Sequence, residues 1–95
     1  TMGPTSTARI YAMLGQADNA RRYGLLSLAA SQQEGVPPFY LGYAYEALAR
    51  AEQVAGDRGQ MALYLAEALR VAGQVSDPGA QKQLMDDLNT ITVSS

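Results

Sequence analysis

Few residues in this chain are equipped for chemistry. It contains no His and no Cys, which removes the usual general base at neutral pH, thiolate nucleophiles and most zinc sites. Without His no Ser can complete the usual triad, and a Ser–Lys pair would need Lys82 buried beside a Ser. Asp86-Asp87 is a carboxylate pair of the kind that can move protons. Adjacent residues on a helix point about 100° apart, so the two do not share a site and read as a solvated face. Neither they nor the scattered Glu residues reach metal-ligand spacing. Gly3-Pro4-Thr5-Ser6-Thr7 lacks the second Gly, the Lys and the preceding strand of a phosphate loop, and reads as the cap of a helix. The expectation is no enzyme, no cofactor and no metal.

An aromatic cluster, Phe39, Tyr40, Tyr43 and Tyr45, is more informative. On a helix starting at Pro38, Tyr45 shares a stripe with Leu41, Leu48 and Ala49 and belongs to the core. Phe39 and Tyr43, four apart, lie on another face that continues to Glu46, Ala47 and Arg50. Glu46 and Arg50 also stand in the favourable order for an exposed pair worth about 0.3–0.5 kcal/mol. Phe39 and Tyr43 could equally fill an interface, where Tyr is enriched.

The elements that must carry these residues are helical. Ala, Leu, Gln, Glu and Arg dominate, and no segment alternates with period two. Gly and Pro punctuate five predicted helices. The first runs from Thr7 to Leu14, ended by Gly15, and the second from Asp18 to Gln33, closed by Gly35. The third starts at Pro38, a good first-turn residue, and stops at Gly56. The fourth spans Asp57 to Val75. The fifth opens on Asp77 as cap with Pro78 in its first turn, and carries Leu84, Met85, Leu88 and Ile91 on one face. With 95 residues, 47% of them hydrophobic, and a net charge of −2, the chain is one small domain with a packed core and no basic stripe for nucleic acid. No apolar run approaches the ~18 residues that cross a bilayer, so the expected setting is the cytoplasm, without membrane.

The chain also repeats itself. A shift that lays Gly15 on Gly56 lays Ala8 on Ala49, Arg9 on Arg50, Tyr23 on Tyr64, Leu28 on Leu69 and Gln33 on Gln74. Two such helix-turn-helix units cannot each bury an apolar stripe alone, but side by side they can. The first unit, Ala8 to Ala20, and the second, with Tyr45, Leu48, Ala49, Gly56-Asp57 and Ala68-Leu69, resemble the tetratricopeptide repeat family. Glu52, Met61, Gly24 and Leu65 depart from its pattern, and the spacing of about 41 residues exceeds the usual 34. The resemblance implies an all-α fold over 1–95: two antiparallel helical hairpins plus a C-terminal capping helix, with repeat one at 7–34, repeat two at 38–75 and the cap at 77–92.

In that family the first helix of each pair lines a concave groove for peptides. The matching positions are Arg9, Ala12 and Met13 from the first unit and Tyr43, Glu46, Arg50, Gln53 and Val54 from the second. Phe39, on the same face as Tyr43, joins them as a candidate for partner binding. Arg9 and Arg50 would face the same groove and could hold a carboxylate of a partner peptide, with Tyr43 stacking beside them. The predicted first helix is about half the length of its counterpart from Pro38. Either the sequence is a piece of a longer array, or the surface left on helices two and three is covered by another chain. The latter points to a two-fold homodimer, the alternative to which is a monomer closed by the fifth helix. The expected function is a non-enzymatic protein–protein interaction scaffold. The alternative is a sensor module, binding a small molecule or signalling peptide within a larger bacterial regulator, which would need a closed apolar pocket.

Overall fold

The computed structural model describes residues 16–94. Within them the chain is all-helical, and the helices are numbered here as α1, Ala17–Ser31; α2, Pro38–Ala55; α3, Arg58–Ala72; and α4, Pro78–Ser94. The expectation of five helices is thereby corrected to four among the described residues. The predicted helix 7–14 and the turn at Gly15 lie outside them. What the described residues build is one hairpin, α2–α3, with α1 on one side of α2 and α4 packed against both α2 and α3.

Local chemistry sets most of the boundaries. Pro38 opens α2, where its missing amide is one that has no helical partner anyway. Gly56 closes it at φ 82°, a left-handed conformation that costs glycine little. Asp57 then caps α3 by accepting the Gln60 N–H at 3.0 Å, and Asp77 caps α4 by accepting the Ala80 N–H at 2.8 Å. Both carboxylates satisfy an orphan amide and sit at the positive end of a helix dipole. Asp57→Ala and Asp77→Ala should therefore each lower unfolding free energy by about 1 kcal/mol, read from the urea midpoint. Equal midpoints for variant and parent would deny the caps any role.

Two ends fall short of the sequence reading. α1 stops at Ser31, where Gln32 donates its N–H back to Leu28 O at 3.1 Å, and the positive φ at Gly35 serves the following turn instead. α3 stops at Ala72, and Gly73 N–H returns to Leu69 O at 3.3 Å.

The main core lies between α2, α3 and α4. Leu84, Leu88 and Ile91 of α4 are fully buried there with Ala49, Met61, Ala68, Ala72 and Val75, and Phe39, Tyr43, Tyr45, Tyr64 and Leu65 close its rim. Met85, expected on the same face of α4, is instead partly exposed, since it lies one residue round the helix from Leu84. Burying one Leu of this kind contributes roughly 1.5–3 kcal/mol. The α1–α2 seam is built differently, from small residues. Ala20, Gly24, Ser27 and Ser31 turn inward along α1, and a Cβ on Gly24 would lie 2.8 Å from Leu48 Cδ2. Small side chains let the two backbones approach, so close contact here comes with little apolar area.

α2 is consequently the axle of the fold, in contact with each of the other three helices. Ala44, Ala47, Leu48, Ala49 and Ala51 are all buried on it, and so are Glu46 and Glu52.

Candidate interaction surface

The face of α2 that carries Phe39, Tyr43, Glu46, Arg50 and Gln53 is built from residues spaced so as to share one side of a helix. The structure lays α4 across it. Tyr43 donates its hydroxyl to the Asp87 carboxylate. Arg50 Nη2 donates to Asp87 O at 3.1 Å and to Thr90 Oγ1 at 2.7 Å, while its Nε reaches the fully buried Glu46 carboxylate at 2.9 Å. Phe39 is half-buried on the core rim, edge-on to Tyr43 with ring centroids 5.0 Å apart and to Tyr40 at 5.6 Å. Gln53 is half-buried on the same helix. Arg9 and Met13, the other residues assigned to this groove, lie outside the described residues, as does Ala12.

Asp86-Asp87 is accordingly not one solvated pair. Asp86 is exposed and accepts from Lys82 Nζ at 2.8 Å, whereas Asp87 turns inward to α2. The Asp86 hydrogen bond raises the Lys82 pKa above its ordinary value. Whatever this contributes is therefore present below pH about 10.5 and fades as pH rises through the raised value. Among the described residues no group of three or more acidic residues is placed to hold a metal ion.

Since Arg50 braces α4, its substitution should be felt in stability. Arg50→Ala takes the guanidinium away from the buried Glu46 carboxylate and frees two acceptors on α4. A loss of about 2 kcal/mol is expected, with amides of α4 exchanging faster than those of α3. Uniform exchange rates across the helices would contradict this placement of Arg50.

A second polar contact had no counterpart in the sequence reading. Arg21 of α1 grips Glu52 of α2 with both prongs of its fork, Nε to Oε2 at 2.8 Å and Nη2 to Oε1 at 2.6 Å. Asp18 adds a contact to Arg21 Nη1 at 3.1 Å. The Glu52 bond, then the charges of Glu52 and Asp18, raise the Arg21 pKa above its ordinary value, so this guanidinium stays charged throughout. The available signal was Glu52 itself, a carboxylate on an otherwise Ala-rich helix.

Large exposed apolar side chains occur on every described helix, Tyr40 and Val54 on α2 and Met85 on α4 among them, and they stand at successive helical positions on the outer sides of α1 and α3. Leu25 and Leu26 are each 51% exposed and Leu63 is 62% exposed. Along α1, Arg22, Leu25, Leu26 and Ala29 follow one another at helical spacing opposite the buried Ala20, Gly24, Ser27 and Ser31. Along α3, Ala62, Leu63 and Ala66 do the same opposite Met61, Ala68 and Ala72. An open cleft of about 420 Å³ at the start of α1 is lined by Gln16, Ala17, Asp18 and Asn19. No helix among the described residues is long and apolar enough to cross a membrane.

No protein-family model, curated protein or solved structure matches the chain.

Proposed function

We propose that this protein is a non-enzymatic interaction scaffold that works by self-association, through the outer faces of α1 and α3. The observation that carries the reading is the leucine exposure on those faces. Scattered exposed leucines are ordinary, but two helices each grouping apolar side chains on an outer face, Leu25, Leu26 and Ala29 on α1 and Ala62, Leu63 and Ala66 on α3, support a surface that meets another protein. The face of α2 first assigned to a partner already has an occupant in α4, so the contact surface moves outward. Kinship with tetratricopeptide repeats belongs to the same proposal. Its support is the order of packing, each helix on its successor, with α4 reaching back past α3 to α2.

Sedimentation equilibrium across the micromolar range tests the reading. The mass should climb from 10.1 kDa towards twice that value, and Leu26→Glu/Leu63→Glu should hold it at the monomer with unchanged far-ultraviolet circular dichroism. A wild-type mass that stays at the monomer throughout would dispose of self-association.

A further inference from the structure

We propose that two copies of this chain join through α1, the two helices lying antiparallel across a two-fold axis that passes between Ser27 and Leu28. The inference rests on the scaffold reading and deepens it, by naming the partner as a second copy and by fixing the seam and its direction.

Among the described helices α1 touches α2 alone. Its inner face is spent on that contact, and its outer stripe, Arg22, Leu25, Leu26 and Ala29, is left without cover by them. This stripe is self-complementary when reversed. Turning it about an axis between residues 27 and 28 sets Leu26 over Ala29 of the partner subunit. Large side chains thus meet small ones, as interdigitating helices require. The same rotation sets Arg22 over the C-terminal end of the partner's helix. The unsatisfied carbonyls there carry partial negative charge, and Glu34 of the partner subunit follows just beyond them. Arg22 and Glu34 are both exposed. Because a two-fold interface is isologous, every one of these contacts is made twice.

The stripe on α3 lacks the charge match. Reversed about an axis between Tyr64 and Leu65, it also sets Leu63 over Ala66 of the partner subunit, but Arg58 then falls opposite Val71 of the partner subunit, and Glu67 is already held by Arg70 of its own helix at 2.9 Å. Charge complementarity therefore selects α1.

Charge reversal and cross-linking on the full chain test the seam. Arg22→Glu and Glu34→Arg should each weaken dimerisation roughly tenfold, and the double variant should recover to within about threefold of the parent. Ala29→Cys, introduced into a chain with no Cys of its own, should form a covalent dimer on mild oxidation, while Leu63→Cys should not. Circular dichroism of each variant guards against simple unfolding. A dimer that Leu63→Glu dissociates and Leu26→Glu leaves intact would overturn the α1 seam while leaving the scaffold reading standing. A double charge reversal that restores nothing would overturn the antiparallel register. A monomer at every concentration would remove both readings.

Discussion

Arg21→Met should destabilise the protein by about 2–3 kcal/mol, and should do more harm than removing Arg21 and Glu52 together. Glu52 is only 5% exposed, so a carboxylate there is tolerable because the Arg21 fork neutralises it and takes both oxygens. Removing the arginine leaves the charge in a poorly hydrated seam, the case in which breaking one partner costs most. The range is set below that of a fully enclosed pair because about a third of the Arg21 side chain still meets water. Arg21→Met/Glu52→Leu takes the charge away along with its partner and should lie closer to the parent than Arg21→Met does. Arg21→Lys should rescue little, since an ammonium cannot reproduce the fork. A urea double-mutant cycle reads the coupling directly. If the two single losses simply add, the bridge does not act as a unit. Hydrogen exchange should localise the damage to α1, whose hold on α2 otherwise depends on small side chains.

Local chemistry made much of the fold legible. Pro38, Gly56, Asp57 and Asp77-Pro78 act on residues one to three positions away, and the structure uses each of them where the sequence places it. The Leu84, Leu88 and Ile91 stripe was equally plain, because a helix with one buried face shows it as a period. α2 defeated that logic. A stripe argument assumes one partner, and α2 has three, so positions that look like a polar face are interior. Tyr43 and Arg50 read as facing a foreign peptide because their partners on α4 stand about 40 residues along the chain, beyond any helical spacing, and Glu46, the buried partner of Arg50, goes with them. Glu52 stands out in the sequence, but Arg21 as its partner, 31 residues away, does not, for the same reason. The outer stripe of α1 illustrates the converse. Leu25 and Leu26 have the composition of core residues, and only the knowledge that Ala20, Gly24 and Ser27 take the inner face shows that they point outward. The repeat that lays Gly15 on Gly56 has its first turn outside the described residues, so of the first unit only its second helix, α1, is described.

Gly42 and Leu84 should show the opposite kind of coupling, one in which two damaging changes partly cancel. Gly42 is buried on α2, and a Cβ built on it would run into Leu84 Cδ2 on α4, with Cγ and Cδ1 at 3.5 and 3.6 Å. Glycine is present here for proximity, since a glycine inside a helix costs about 1 kcal/mol relative to alanine. Gly42→Ala therefore regains that propensity while forcing α4 outward or Leu84 off its rotamer. Overpacking of this kind costs about 1–3 kcal/mol, for a net loss of up to about 2 kcal/mol. Leu84→Ala empties a site with no solvent exposure and should cost about 2–4 kcal/mol by transfer and cavity terms together. In Gly42→Ala/Leu84→Ala the new methyl enters the space the leucine leaves, the clash is gone, and the helix propensity gained at position 42 is kept. The double variant should thus be no less stable than Leu84→Ala alone, and more stable by as much as about 1 kcal/mol. Denaturant midpoints for the four proteins decide it. A double variant weaker than Leu84→Ala would mean that α2 and α4 are not held apart by this one contact, and that the glycine answers to something other than the closeness of the two helices.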